Sequence, residues 1–294
     1  MSKLIFVSLR AFGDFVIASQ AMRIANAIPS DRRVSLLAGE HLYPLAAALK
    51  IDSNVQFVAS GSSIPAIFDL RRCGVWDGLI SLMNLRREFS VLPMKDRLIF
   101  DRWGWREMYF ARNGPHAVLP KSPNIYCAYE EILLSAGFML PDGVNLPKRT
   151  ILDYALNKKA IIVPHSRLSS KSIPMGVLRG LCKALKSKGV PCEIIVFEGE
   201  DFDTFPDIPT RRIPRSFTSL IETILSASMV FSADSLSAHL AEYYQIPVFV
   251  CTPTPNRYWL PRSAFESCAW ALFGEIDDTN ISLERFISSA GGGG

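Results

Sequence analysis

Short apolar runs alternate with amphipathic stretches in the first third of the chain, and this alternation predicts a repeated strand–helix order. Runs of this length are typical of parallel strands that are buried on both faces. Strands are predicted at Leu4–Leu9, Val34–Leu37 and Val55–Val58. Helices are predicted at about Phe15–Ala27, at Leu42–Leu49, and at Tyr126–Gly137, where a glycine ends the helix.

The same alternation restarts in the second half. Strands are predicted at Ala160–Val163, Cys192–Phe197, Met229–Ser232 and Pro247–Cys251, and helices at Pro174–Lys188, Phe217–Ser226 and Leu236–Tyr244. The segment Met139–Thr150 is rich in proline, glycine and polar residues, as expected of a linker. The pattern therefore predicts an α/β protein of two Rossmann-like domains that face each other across a cleft, residues 1–145 and 146–290, followed by a glycine tail at 291–294.

Composition narrows the class of protein. The chain has 294 residues, of which 49% are hydrophobic and 20% charged, enough for two cores and unlike a disordered chain or a coiled coil. A net charge of +4 is too small to indicate a nucleic-acid partner. No stretch approaches the roughly 18 apolar residues of a membrane helix, and the six cysteines form no CxxC pair. We therefore expect a cytoplasmic protein with reduced thiols and no zinc.

The first polar turn contains Arg10, Gly13 and Asp14. Gly13 would allow a tight turn, and Asp14 would lie at the carboxyl edge of the first sheet. A carboxylate there can take a proton from a hydroxyl group, but an aspartate at a helix start is also an ordinary cap. From these residues alone, the cap is the stronger interpretation. The turn has no GxGxxG motif, which argues against a dinucleotide dehydrogenase.

A second polar loop follows the predicted strand Ala160–Val163. It offers hydroxyl groups and a lysine (Ser166, Ser170 and Lys171), which are donors suited to phosphate oxygens. The glycines of a Walker loop are missing. Phosphate binding and a merely solvated loop are equally compatible with this segment.

A third polar segment follows the predicted strand Met229–Ser232. Asp234 or Ser235 would open a helix whose free amides form an anion site, with Ser237 and His239 in its first turns. A structural cap and a packing histidine remain alternatives. Glu200, after another strand, could bond ribose hydroxyls or lie on the surface. The cluster around Arg102 and Arg106 could contact an anionic acceptor or form a packed aromatic patch.

Three segments taken in this order resemble glycosyltransferase family 9, the heptosyltransferase-like glycosyltransferases: VSLRAFGDFVIASQAMR, PHSRLSSKSIP and SADSLSAHLAEYYQIPVFVCTPTPN. The resemblance covers the first strand–turn–helix and the region from about Ala160 to Pro261, and residues 61–121 match poorly. It implies the GT-B fold. It also implies inverting, metal-independent transfer of a heptose-type sugar from a nucleotide donor, with ADP-heptose as the first expectation, to lipopolysaccharide or another surface glycan.

The resemblance also implies roles for single residues. Gly13 and Asp14 match the family's Gly-Asp pair, whose aspartate is the proposed base. Lys171 matches the lysine of the family's K-x-W-P element, with Ile173 at the tryptophan position. Asp234, Ser235 and His239 match the D-T-G-x-x-H signature, in which Leu236 replaces the glycine. The expected donor-binding residues are Gly13, Ser166, Ser170, Glu200, Asp234, Ser235, Leu236, Ser237, His239 and Thr254.

The resemblance further implies Asp14 and Lys171 as catalytic residues and Arg10, Arg102 and Arg106 as acceptor-binding residues. No metal or cofactor is expected, because the nucleotide-sugar is a substrate. A lipid-linked acceptor would bring the protein to the inner face of the inner membrane. Two alternatives stay open: a nucleotide-sugar epimerase on the same fold, and a non-catalytic glycan-binding protein, which the departures at Ile173 and Leu236 favour.

Overall fold

Two parallel sheets organise the chain in a computed structural model that describes residues 4–8, 11–29, 33–58, 97–100, 122–135, 137–140, 159–203, 208–276 and 280–291. Contacts divide the chain into two compact units. The first contains residues 1–121 and 128–144, and the second contains residues 122–127 and 145–294. The predicted boundary between residues 145 and 146 lies outside the described residues.

The first sheet has four parallel strands in the order β3-β2-β1-β4. Its strands are β1 Leu4–Ser8, β2 Val34–Gly39, β3 Val55–Val58 and β4 Arg97–Phe100. The helices around them are α1 Phe12–Ala27, α2 Tyr43–Ala48 and α3 Ile125–Ser135, with short 3₁₀ turns at Glu40–Leu42 and Asp52–Asn54. Gly137, with φ of 83°, follows α3, so the predicted glycine stop is confirmed.

The second sheet has six parallel strands in the order β10-β9-β8-β5-β6-β7. Its strands are β5 Ala160–Val163, β6 Cys192–Phe197, β7 Thr210–Ile213, β8 Met229–Ala233, β9 Val248–Thr252 and β10 Trp270–Leu272. The helices are α4 Met175–Ser187, α5 Phe217–Leu225, α6 Leu236–Tyr243, α7 Arg262–Glu266 and α8 Ile281–Gly291, with 3₁₀ turns at Ser169–Lys171 and Phe273–Glu275. None of the described helices is long and apolar enough to cross a bilayer.

The core of the second unit includes an aromatic cluster that the sequence pattern did not reveal. Phe286 of α8 packs its ring 5.5 Å from Phe231 of β8 and 5.6 Å from Phe249 of β9, between ring centroids. Helix α8 is therefore part of the second unit's core, and it extends to Gly291, the first residue of the expected glycine tail. Of the described cysteines, Cys182 and Cys251 are buried free thiols, but Cys268 is exposed.

Candidate functional site

The order in which successive strands are added to the second sheet reverses between β5 and β8. From β5 the chain builds outward through β6 and β7 on one side, and then through β8, β9 and β10 on the other. This is the strand order of a complete Rossmann unit, and ligands bind such sheets at the carboxyl ends of the two strands where the order reverses. Val163, which ends β5, pairs with Ser232 in β8, so the two strands finish side by side.

Lys171 and Asp234 meet at this reversal point. Lys171 closes the 3₁₀ turn in the loop after β5, and Asp234 follows β8 directly. The Nζ of Lys171 donates to Oδ2 of Asp234 at 2.6 Å. The side chain of Asp234 is 15% exposed and that of Lys171 is 37% exposed, so the ammonium retains access to solvent. The structure thus brings together two of the residues that the sequence predicted separately.

Hydroxyl groups line the start of α6, beside Asp234. Ser235 is the N-cap residue, and its side chain makes no capping hydrogen bond to the helix. Instead its Oγ lies 2.9 Å from Oγ of Ser237, which lies 2.7 Å from Oγ of Ser232. Because no capping side chain occupies them, the first amides of α6 are suited to an anion. Leu236 is the first helical residue and its φ is not positive, so this position does not require glycine's conformational range.

The loop after β5 is braced by its own side chains. The backbone N–H of Ser166 donates to Oγ of Ser172 at 3.0 Å, and the N–H of Ile173 donates to the carbonyl of Pro164 at 2.9 Å. Ile173 is buried, so an aliphatic side chain anchors the loop at the position where the resembled family has tryptophan. Ser170 is exposed. Pro174 is the N-cap of α4 and not its first residue.

Glu200 lies after β6, the second strand of this Rossmann unit, where an acid can reach ribose hydroxyls. Its Oε1 accepts a 2.6 Å hydrogen bond from Arg215, and its Oε2 lies 3.2 Å from Nε2 of His165. Burial lowers the pKa of His165, an effect that Glu200 opposes and Arg215 supports. The imidazole is therefore neutral at pH 7. The sequence predicted Glu200 and did not identify Arg215, whose guanidinium also lies over the ring of Phe197 at 5.9 Å.

Thr254 follows β9 at the same edge of the sheet. Its backbone N–H donates to Oγ1 of Thr252 at 3.3 Å, and that hydroxyl donates back to the carbonyl of Thr254 at 3.1 Å. The turn after β9 is therefore closed by a single buried threonine hydroxyl, and the side chain of Thr254 itself is exposed.

His239 is buried in α6 and has a partner that sequence reasoning missed. Its Nδ1 lies 3.0 Å from the phenol oxygen of Tyr126, a buried residue of the segment Ser122–Cys127. Burial, together with the nearby carboxylate of Glu242, raises the pKa of Tyr126 well above its usual value. The phenol is therefore protonated and can donate a hydrogen bond to the imidazole.

The buried amide of Asn124 is one of the groups that join the segment Ser122–Cys127 to the rest of the second unit. The Nδ2 of Asn124 donates to the carbonyls of Leu260 at 2.9 Å and Arg257 at 3.4 Å, and its Oδ1 accepts from the N–H of Tyr126 at 3.0 Å. A polar asparagine before a helix resembles any cap, so the sequence carried no signal for this long-range contact.

The expectations for the first turn of α1 need correction. Helix α1 begins at Phe12, three residues earlier than predicted, after the N-cap Ala11, which makes no side-chain capping bond. Asp14 is therefore the third helical residue and not the cap, and it is buried. Gly13 is the second helical residue and has no positive φ, so it forms no tight turn. The carboxylate of Asp14, at the third helical position, is still stabilised by the helix dipole.

The predicted site residues that the structure describes belong to both units. Lys171, Asp234, Ser235 and Ser237 come together at the reversal point of the second sheet, whereas Asp14 belongs to the first unit. The acceptor candidates Arg10, Arg102 and Arg106 lie outside the described residues. Within the described part of the chain, no group of three or more histidine, cysteine, aspartate or glutamate side chains could hold a metal ion.

No protein-family model matches the sequence, and no curated protein is significantly similar to it. Solved structures do match. E. coli heptosyltransferase WaaC with ADP-2-deoxy-2-fluoro heptose superposes with a TM-score of 0.61 at 13% identity, covering 98% of this chain and 99% of that one. A family 9 glycosyl transferase from Veillonella parvula gives a TM-score of 0.61 at 11% identity, covering 99% and 96%.

E. coli ADP-heptose lps heptosyltransferase II gives a TM-score of 0.58 at 14% identity, covering 98% of this chain and 99% of its own. These matches extend over nearly the whole chain, although few residues are identical. The expected fold class is confirmed: the chain has the mixed α/β GT-B fold of the heptosyltransferases.

Proposed function

We propose that this protein is a glycosyltransferase that moves a heptose-type sugar from a nucleotide donor to a bacterial surface-glycan acceptor. ADP-heptose is the first choice of donor, and lipopolysaccharide is the first choice of acceptor. The proposal is supported by the fold shared with E. coli heptosyltransferase WaaC, which has been solved with ADP-2-deoxy-2-fluoro heptose and with ADP. The motifs after β1, β5 and β8 support it independently.

The contact between Lys171 and Asp234 is the observation that carries the proposal. An ammonium group has three donor hydrogens, so Lys171 can keep its bond to Asp234 and still donate to phosphate oxygens. The amides at the start of α6 add partial positive charge beside it. Glu200 follows β6 at the same edge of the sheet, and we propose that it bonds the ribose. These groups together suit a nucleoside diphosphate.

The reaction that we propose inverts the anomeric carbon and uses no metal. Asp14 takes the proton of an acceptor hydroxyl, whose oxygen forms a bond to the anomeric carbon from the face opposite the diphosphate. The bond from that carbon to the phosphate oxygen breaks, and its electron pair leaves with the diphosphate. Lys171 and the α6 amides stabilise the negative charge that develops there.

A transfer assay tests the proposal. The purified protein is incubated with ADP-heptose and an oligosaccharide obtained by deacylating heptose-deficient lipopolysaccharide. We expect ADP to be released and the oligosaccharide to gain the mass of one heptose residue. Isomerised donor without any acceptor product would indicate the epimerase, and binding of the oligosaccharide without any nucleotide binding would indicate the non-catalytic protein. Either result would contradict the proposal.

The same proposal places the reaction at the cytoplasmic face of the inner membrane, where a lipid-linked acceptor would be presented. The nucleotide-sugar and the glycan are then the two partners, and no cofactor is needed. Co-sedimentation tests this part separately from the transfer chemistry. The activity should be recovered with inner-membrane vesicles that contain the acceptor.

A further inference from the structure

Tyr126 of α3 and His239 of α6 share a buried hydrogen bond. The phenol oxygen lies 3.0 Å from Nδ1 of the imidazole, and the two ring centroids are 6.1 Å apart. Both side chains are buried, so each depends on protein partners for its hydrogen bonds. The contact lies within the second unit, because that unit includes the first residues of α3.

The phenol determines which ring nitrogen of His239 carries the proton. Burial raises the pKa of Tyr126, so the phenol keeps its hydrogen. Among the described residues, the structure gives this buried O–H group one acceptor, Nδ1 of His239. Because a buried donor without an acceptor is costly, the phenol donates and Nδ1 accepts. An accepting nitrogen carries no hydrogen, and the proton of the neutral ring therefore lies on Nε2.

The position of Tyr126 is set by backbone contacts that do not involve His239. The N–H of Tyr126 donates to Oδ1 of Asn124 at 3.0 Å, and the N–H of Ile125 donates to the carbonyl of Tyr258 at 2.8 Å. The phenol is thus held in place independently of the imidazole, and it can hold the imidazole in one orientation.

His239 lies on the same side of α6 as the N-cap residue Ser235. The two residues are four positions apart, which is about one helical turn. Helical side chains lean toward the N-terminus of their helix, so the imidazole is directed back toward the first turn of α6. That turn, beside Lys171 and Asp234, is where the proposed function places the donor diphosphate. An Nε2–H group there adds one more hydrogen-bond donor for phosphate oxygens.

We propose that Tyr126 is a positioning residue: it fixes the ring of His239 in the tautomer whose Nε2–H donates to the donor diphosphate. This inference rests on the proposed function and adds to it a residue that lies outside the three sequence motifs. Tyr126 acts through the imidazole and not on the substrate. A packing role would need the ring of Tyr126 but not its hydroxyl group, so Tyr126→Phe separates the two roles.

Nitrogen NMR of the His239 ring tests the proposal in the protein without donor. The chain has four histidines, so labelled histidine gives few signals, and His239→Asn identifies those of His239. We expect a protonated Nε2 and an unprotonated Nδ1. Tyr126→Phe should move the Nδ1 resonance toward that of a nitrogen without a hydrogen bond. A protonated Nδ1 in the wild type, or an Nδ1 resonance that stays unchanged in Tyr126→Phe, overturns the proposal.

Tyr129→Phe is the matched control for this experiment. Tyr129 is another buried tyrosine of α3, but its ring packs on Phe6, with the ring centroids 4.9 Å apart. The substitution therefore removes a buried hydroxyl group from the same helix, and it should leave the ring nitrogens of His239 unchanged.

Calorimetric titration with ADP tests the consequence for the donor. Tyr126→Phe should raise the Kd of ADP about fivefold, the loss expected for one neutral hydrogen bond, and Tyr129→Phe should not. His239→Asn has no group at the position of Nε2, so adding Tyr126→Phe to it should have no further effect. Equal ADP affinity of the wild type and Tyr126→Phe overturns the proposal and leaves the proposed function standing. The same loss with and without His239→Asn also overturns it.

Absence of ADP binding by the wild type would contradict the proposed function, and with it the donation to the diphosphate. The nitrogen resonances of the ADP-free protein decide by themselves whether Tyr126 fixes the ring. Thermal unfolding of each variant confirms that the comparison is between folded proteins.

Discussion

The ammonium of Lys171 and the carboxylate of Asp234 lie 2.6 Å apart although 63 residues separate them in the chain. They meet because β5 and β8 are neighbours in the sheet, and because the loop after each strand opens at the same edge. The proposed binding of the donor diphosphate depends on this pair.

Lys171→Ala should reduce kcat about a hundredfold, since removing one preorganised donor from a developing charge typically has this effect. The affinity for ADP should fall as well. Steady-state transfer rates and calorimetric titration measure the two effects. Lys186→Ala, at an exposed lysine of α4, is the matched control and should behave like the wild type. A Lys171→Ala variant with wild-type transfer would remove this lysine from the mechanism.

Asp14→Asn should reduce kcat at least about a hundredfold, because the amide is the same size as the carboxyl but cannot accept the proton, and general-base catalysis contributes at least this factor. The affinity for the donor nucleotide should stay the same. Asp52→Asn, at an exposed aspartate of the first unit, is the control. Near-normal turnover by Asp14→Asn would exclude Asp14 as the base.

Glu200→Ala should weaken ADP binding about tenfold or more, the effect expected when a charged hydrogen-bond acceptor for ribose hydroxyls is lost. Titration calorimetry measures it. Glu198→Ala removes an exposed glutamate at the end of the same strand and should leave the affinity unchanged. If Glu200→Ala lowers the Tm but not the ADP affinity, Glu200 acts as a structural clamp for Arg215 and not as a nucleotide contact.

Glu242→Gln should stabilise the fold increasingly as the pH rises above 4.5. Burial raises the pKa of Glu242 from its ordinary 4.5, and this outweighs the hydrogen bonds from Ser263 and the charge of Arg262, which lower it. Below pH 4.5 the carboxyl is protonated whether the chain is folded or not. At higher pH the unfolded chain ionises first, so the wild type loses stability until the folded-state pKa is passed.

Glutamine stays neutral, and its carbonyl oxygen can accept both bonds from Ser263. Thermal unfolding at several pH values therefore should show a Tm difference between variant and wild type that grows from pH 4.5 upward. Glu222→Gln, at an exposed position of α5, should show no such trend. A Tm difference between Glu242→Gln and wild type that shrinks with rising pH would contradict the raised pKa of Glu242.

Asn124→Ala should lower the free energy of unfolding by about 1–3 kcal/mol, because it removes the buried hydrogen bonds to the carbonyl of Leu260 and from the N–H of Tyr126. The amide of Asn124 is fully buried and donates to Leu260 and Arg257. Chemical denaturation measures the loss. Asn54→Ala, at an exposed asparagine, is the control and should change stability little. Equal stability of the two variants would mean that Ser122–Cys127 is held to the second unit by other contacts.

Short, mostly apolar runs made several strands predictable: β3, β5 and β6 have the bounds that the sequence pattern assigns to them. Strand β7 was missed because it reads Thr-Arg-Arg-Ile and lies at the sheet edge, where two of its side chains face solvent. Helix α8 was missed because polar residues flank Phe286 in the sequence. Only the fold shows that the ring of Phe286 packs in the core.

The members of the candidate site were predictable one by one, but their contacts were not. Residue type and position after a strand pointed to Lys171 and Asp234, yet their pairing depends on the strand order. The role of Asp14 as a cap was wrong because Ala11 gives no capping signal, so the helix start was placed too late. Tyr126 and Arg215 were missed because each acts through a partner that is distant in sequence.

Calorimetric titration of the wild-type protein with ADP, CMP, GDP and UDP tests most directly whether the reversal point of the second sheet is a nucleoside-diphosphate site. The account predicts saturable 1:1 binding of at least one nucleotide, with ADP the first expectation, and a clear loss of that binding in Lys171→Ala. Absence of binding for all four nucleotides, or equal binding by wild type and Lys171→Ala, would contradict it.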